Sequence, residues 1–225
     1  MTSGTPRPGR QRLAPEVRRR QILDAAVAVF SEEGFHGASM DAVAVRAGVS
    51  KPLVYVHGGS KEELFAACLH READRLLHSV QAAAGEPDDD PRVRLRAALH
   101  AFFHAVTTRR QGWLVLYRQA SIGQFAAEIA GLRRRIVDRA AALLAAGIDV
   151  APADVQPFAH TLVGAAEGLA DWWLGSGTAD GDAPAGVLAD MLMLVVWPGL
   201  DALRHTAAAS GTPSIAAYPA VSGER

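Results

Sequence analysis

From Pro15 onward the apolar residues recur at spacings of three and four, the repeat of a helix with one buried side. In "PEVRRRQILDAAVAVFSEEGF", Ile22, Ala26, Val29 and Phe30 share a face, Pro15 and Glu16 suit a first turn, and Gly34 suits a stop. Ser39 is placed to cap "MDAVAVRA", whose Met40, Val43 and Ala44 lie on one side before Gly48 ends the run. Ser50 is placed to cap "KPLVYVH", where Pro52 is tolerated because a first turn has no use for its missing donor. Leu53 or Val54, together with Val56, supplies the apolar side of this short helix, and Gly58 and Gly59 stop it. Ser60, with Glu63 three residues on, forms a reciprocal capping arrangement. It opens a helix from Lys61 to about Ala84 with Leu64, Cys68, Leu76 and Val80 among its apolar positions.

"GEPDDDP" is an acidic, turn-rich break and the candidate boundary between a small N-terminal unit and the rest. Beyond it the periodicity predicts helices over roughly 92–108, 112–121, 124–146, 153–175 and 185–208. Pro198 is expected to kink or end the last of them. No segment alternates with period two long enough for a convincing strand, so the expected fold is all-α.

Composition narrows the setting. A chain of 225 residues can bury a proper core without disulfides. Its single cysteine, Cys68, can form no intramolecular bridge, and no leader with a basic start and an apolar centre is visible, which points to a reducing cytoplasm. The longest apolar run, "MLMLVVW" from Met191 to Trp197, falls far below the roughly 20 residues of a spanning helix, so no membrane partner is expected. The net charge of −1 hides an asymmetry: up to Lys61 there are nine Lys or Arg against five acids, +4, and the remainder carries 14 against 19, −5. The basic end is the one suited to a polyanion.

Two short helices joined by "AGVS" have the shape of a helix-turn-helix, whose second helix enters a major groove only about 12 Å wide. A reading helix that narrow accounts for the abrupt stop at Gly58 and Gly59. The whole stretch "RRQILDAAVAVFSEEGFHGASMDAVAVRAGVSKPLVYVHGGSKEELF" resembles the DNA-binding domain of the TetR (tetracycline repressor) family of bacterial transcriptional regulators. Ile22, Ala26, Phe30, Gly34, Phe35, Ser39, Val43, Gly48, Val49, Tyr55, His57, Lys61 and Leu64 are among the matching positions. Later, "GAAEGLADWWL" and "WPGLDALR" look like the family's last two helices.

The resemblance implies an N-terminal helix-turn-helix domain followed by a helical-bundle domain for ligand binding and dimerisation. The expected division is a flexible basic arm at 1–14, the DNA-binding domain at 15–61, a connecting helix at 62–84, the effector-binding and dimerisation domain at 85–210 and a flexible tail at 211–225. It also implies that Ser39, Tyr55, His57 and Lys61 hold phosphates and that Lys51, Pro52 and Leu53 form the tip that meets base edges, with Ser50, the cap before them, also among the DNA-binding residues. Arg7, Arg10 and Arg12 would add charge from the arm. One departure stands out: the family usually has a phenylalanine after the histidine, where this chain has Gly58. The expectation is a looser third helix, or compensation from Phe65 or another nearby side chain.

Thr161, Gly164, Ala165 and Gly168 lie on one side of their helix and allow a second backbone to approach, while Phe158, Leu162, Leu169 and Trp173 form a neighbouring apolar side. "DMLMLVVW" is apolar nearly all round, which adds Met191, Leu194 and Trp197 to a candidate self-association surface. The resemblance favours a homodimer built from these two helices, and a pocket for a small effector among Phe102, Phe103, Trp113, Tyr117, Phe125, His160 and Trp172, although the same residues suit a plain core.

His100 and His104 have metal-ligand spacing, but they sit opposite the Leu95, Leu99, Phe102, Val106 stripe with no completing ligand, as a polar face does. His160, Glu167 and Asp171 share a helix side, which allows acid/base work or a polar wall of a pocket, with structural hydrogen bonding as the default reading. No catalytic motif is visible, and no metal or cofactor is expected. The sequence therefore points to a cytoplasmic, homodimeric repressor that binds a palindromic double-stranded DNA operator and is released by an unidentified small molecule. The competing reading is a helical metal-binding or catalytic protein with an incidental basic arm.

Overall fold

The computed structural model describes residues 14–86, 89–117, 123–148, 155–175 and 185–210. The basic arm and the tail lie outside them. No strand occurs among the described residues, and the chain divides into two compact units, Met1–Cys68 and Leu69–Arg225. The boundary falls inside a helix rather than at "GEPDDDP", where sequence composition shifts.

The first unit contains α1 (Pro15–Gly37), α2 (Met40–Ala47), α3 (Lys51–Gly58) and the opening turns of α4 (Lys61–Ala83). Gly34, with φ 71° and ψ 170°, breaks the helical path of α1 rather than ending it, and one further turn follows to Gly37. Ser39 caps α2 by accepting a hydrogen bond from the Ala42 N–H at 3.1 Å, and Gly48 closes it in the left-handed conformation, φ 63°. Ser50 precedes α3, but its hydroxyl makes no cap hydrogen bond, which corrects the expected cap. The capping box of α4 forms: Glu63 N–H donates to Ser60 Oγ at 3.1 Å, and Ser60 N–H donates to Glu63 Oε2 at 2.7 Å.

Val54 alone anchors α3 in full burial, Leu53 is half-buried, and Val56 is 76% exposed, so Val56 does not belong to the apolar side as expected. The gap below Gly58 is filled. A Cβ on Gly58 would meet Leu64 Cδ1 at 2.9 Å, inside contact distance. Buried Phe65 sets its edge against Phe30 and Phe35, with ring centroids 5.0 and 5.1 Å away. Cys68 is buried in the same core, its Sγ 3.9 Å from the Leu23 carbonyl oxygen.

The second unit comprises the rest of α4 with α5 (Pro91–Thr108), α6 (Arg110–Tyr117), α7 (Ala126–Ile148), α8 (Gln156–Gly175) and α9 (Ala185–Ser210); a 3-10 turn at Gly123–Phe125 precedes α7. Asp90 caps α5, its carboxylate accepting from the Arg92 and Val93 N–H groups at 2.8 and 3.1 Å. Of the helix expected over roughly 112–121, α6 is described as far as Tyr117, and positions 118–121 lie outside the described residues. Phe103, Leu99, Val106, Leu144, Trp173 and Leu192 lie in one core that draws on α5, α7, α8 and α9. α9 continues past Pro198 to Ser210, so Pro198 does not end it. The window Ala185–Ala202 has mean hydropathy 1.5 over 18 residues and is long and apolar enough to span a membrane by length and composition alone, a test that a core helix also passes. Its apolar positions divide: Leu188, Ala189, Leu192, Met193 and Leu200 are buried, whereas Val187, Met191, Leu194 and Val195 are exposed. That division suits a helix with one side in its own core and another toward a partner.

Candidate nucleic-acid interface and ligand cavity

On the first unit, the packing of Val54 turns the opposite side of α3 outward. Ser50, Lys51 and Pro52 are exposed, Tyr55 is 46% exposed, and His57 is half-buried. Tyr55 is therefore a surface hydroxyl and not a core aromatic. Ser39 is exposed at the start of α2, with its oxygen engaged as a cap.

Neither of the chain's two lysines, Lys51 and Lys61, is free in solvent. Lys51 Nζ lies 2.7 Å from Asp41 Oδ2, an ion pair that sequence reasoning missed because its members come from different helices with no fixed spacing. The hydrogen bond to Asp41, and then its charge, hold the Lys51 ammonium above its ordinary range. Lys61 Nζ donates to the His36 carbonyl at 3.3 Å and stands 4.8 Å from the Phe35 ring centroid, so it secures the end of α1 in addition to any phosphate role.

The second unit contains an apolar cavity of about 110 Å³. Of the residues expected at a pocket, Phe102 and Tyr117 line it. Phe103, Trp113 and Phe125 are buried elsewhere in the core, and His160 and Trp172 are exposed on the outer side of α8. The reason is helical phase: Leu162, Val163, Ala166 and Glu167 take the inward side, which turns positions 160 and 172 away. Trp197, expected at the self-association surface, is half-buried and lines the cavity. Thr161, Gly168, Met191 and Leu194 stay on the surface, Gly164 is half-buried, and Ala165 packs against the core. Trp172, Val187 and Val195 join the exposed apolar stripe.

Few polar groups face the cavity. Tyr117 donates its hydroxyl to Glu167 Oε1 at 2.6 Å, and Arg133 Nη2 pairs with Oε2 at 2.7 Å. Burial, and then the Glu167 charge, push the Tyr117 phenol above its ordinary pKa, so it remains a donor. The Tyr117 ring stacks on Trp113 at 3.8 Å, and Trp113 meets Phe102 at 5.5 Å. Farther along, the Gln81 side-chain amide lies against the Arg139 guanidinium, whose N–H groups assign the facing amide atom as the oxygen, and Arg94 Nε donates to the Ala84 carbonyl at 3.0 Å. Glu167 is thus separated from His160 and Asp171, which are exposed. His100 and His104 are exposed, and His100 stands near the Arg96–Asp190 pair, which is 2.6 Å long. Among the described residues no group of three or more His, Cys, Asp or Glu is arranged to hold a metal.

Comparison with known proteins matches both units. Residues 22–68 fit the model "Bacterial regulatory proteins, tetR family", and residues 91–199 fit "Tetracyclin repressor-like, C-terminal domain". The crystal structure of a TetR-like transcriptional regulator from Rhodococcus sp. RHA1 is similar, with 43% identity, 84% of this chain and 99% of that chain covered, and a TM-score of 0.69. The transcriptional activator FasR of Mycolicibacterium smegmatis is 45% identical over 47% of this chain and 48% of its own length. The transcriptional repressor SCO4008 of Streptomyces coelicolor is 40% identical over 33% and 38%. The chain spans about half or less of the length of these two curated relatives. FadR of Bacillus subtilis, solved in complex with stearoyl-CoA, shares the fold at 16% identity and a TM-score of 0.66, with 79% and 96% of the two chains covered. The chain belongs to the tetR family of bacterial transcriptional regulators.

Proposed function

We propose that the protein is a cytoplasmic homodimeric repressor that binds a palindromic operator and leaves it when an apolar effector fills the cavity of the second unit. The observation that carries the DNA-binding reading is α3: eight residues held from behind by Val54, with Lys51, Pro52 and Tyr55 presented outward. Ser39, Tyr55, His57 and Lys61 are suited to phosphates, and Ser50, Lys51, Pro52 and Leu53 to the base-reading tip. The exposed stripe of Trp172, Val187, Met191, Leu194 and Val195 supports pairing of two copies through α8 and α9.

The cavity wall is almost wholly aliphatic and aromatic, which suits an effector with a hydrocarbon chain such as an acyl group. FadR of the same fold was solved with stearoyl-CoA. An effector that prefers a conformation poor at binding DNA weakens the operator complex by the factor by which DNA weakens effector binding. A dimer lying across a promoter excludes polymerase by bulk alone, and the repressor assignment rests on this; the two curated relatives include one activator and one repressor.

Substitutions on α3 test the division between holding and reading. Tyr55→Phe should weaken binding to all sequences alike. Lys51→Ala should change preference among sequences by roughly 5- to 150-fold at one base pair, the worth of a good base contact. Asp41→Asn, which releases Lys51, should strengthen binding to random DNA and steepen its salt dependence. Gel-shift titrations over a range of salt check all three, and identical effects of the three changes on every DNA would refute the division.

A further inference from the structure

Arg94 and Arg139 stand at one end of the cavity, since Arg94 bonds to Ala84 and Arg139 to Gln81, one turn apart on the end of α4. Arg139 is exposed, and the partner it has is a neutral amide. Tyr117 and Glu167 stand at the other end, beside Phe102 through the stack on Trp113. α5 passes both ends, with Arg94 at one and Phe102 at the other, a helical rise of about 12 Å between them. The wall in between is hydrocarbon.

The far end holds a carboxylate where an unfunctionalised chain needs none. Glu167 is 7% exposed and lines the cavity. Its oxygens accept one bond from Tyr117 and one from Arg133, and a carboxylate has room for about four. Hydrocarbon packed against it would leave the remaining lone pairs dry, which is unfavourable. A donor on the ligand would satisfy one of them. The Tyr117 oxygen, whose proton is on Glu167, keeps lone pairs of its own, so Tyr117→Phe separates acceptance by the phenol from acceptance by the carboxylate.

We infer that the effector is an amphipathic anion bearing a hydroxyl on its hydrocarbon chain, its anionic group held by Arg94 and Arg139 and its hydroxyl donating to Glu167. This rests on the reading of the cavity as the effector site. Glu167 then sets selectivity between hydroxylated and plain chains, because a site built to receive a hydroxyl discriminates against the analogue that lacks it.

Titration calorimetry on the full-length protein tests it, using the even-numbered saturated acids from octanoate to hexadecanoate and their terminally hydroxylated counterparts. At the best chain length the hydroxylated acid should bind wild type at least tenfold tighter than the plain one. The paired variant Tyr117→Phe with Glu167→Leu should bind the plain acid as well as wild type does and show no preference. Tyr117→Phe alone, which keeps the ring and leaves Glu167 in place, should retain the preference. Operator affinity without ligand should be the same in all three proteins and serves as the check on folding. Plain acids that bind wild type as tightly as hydroxylated ones at every length, or a preference that survives loss of Glu167, would overturn the inference while leaving the cavity an effector site. Failure of every acid to bind wild type would overturn both.

Discussion

Replacing Phe65 with alanine should destabilise the N-terminal unit by about 3–5 kcal/mol, the usual cost of deleting a buried phenylalanine. Phe65 is wholly buried and touches two other rings, Phe30 and Phe35, so α1 and α4 both lose their common contact. Native proteins are stable by only about 5–15 kcal/mol, so a small unit tolerates this poorly. Amide exchange should accelerate throughout α1, α2 and α3, with α5 to α9 unaffected, and operator binding should be lost in parallel. Restoring the family's usual aromatic by Gly58→Phe should also destabilise the unit, by about 1–3 kcal/mol, because buried Leu64 already puts its Cδ1 2.9 Å from where the new Cβ would sit. Gly58→Phe combined with Leu64→Ala should recover part of that loss. A Gly58→Phe variant more stable than wild type would show that the space beneath α3 is empty after all.

Leu194→Glu should convert the protein from dimer to monomer. Leu194 is 77% exposed, one turn from Met191 and next to Val195, on the side of α9 opposite its buried residues. A carboxylate there would be desolvated in an apolar interface, which is strongly unfavourable, whereas on a free surface the same change falls within about 0.5 kcal/mol. Sedimentation equilibrium should give twice the chain mass for wild type and once for the variant. Because pairing two reading heads raises avidity by about 10²–10⁴, operator affinity should fall by a comparable factor while the fold is retained. Equal masses for the two proteins would place the dimer, if there is one, elsewhere.

The first unit was largely legible in the sequence because its signals are local. Ser39, Gly48, and the Ser60–Glu63 pair act within one turn, and each sits where its spacing indicated. Ser50 misled, since a serine in the cap position need not turn its hydroxyl to the helix. The compensation for Gly58 was anticipated in kind, but its nearest agent is Leu64 with Phe65 completing the ring cluster, a distinction that requires coordinates. The second unit was legible as helices and less so as a site. Phe102 and Tyr117, chosen by residue type, line the cavity, as does Trp197, whereas His160 and Trp172 face outward, because helical phase relative to the core depends on which neighbours pack where. Glu167 was singled out for the wrong company: periodicity grouped it with His160 and Asp171, and the fold pairs it with Tyr117 and Arg133 from other helices. The Lys51–Asp41 pair crosses a turn and left no trace in spacing.

The most direct test is selection of bound DNA from a random double-stranded pool by the full-length protein. A homodimer that reads with α3 should enrich a two-fold palindrome whose half-site centres lie one helical turn, about 34–36 Å, or a multiple of it apart. An enriched pool with a single unrepeated half-site, or no enrichment over the starting pool, would contradict a homodimeric DNA-reading regulator.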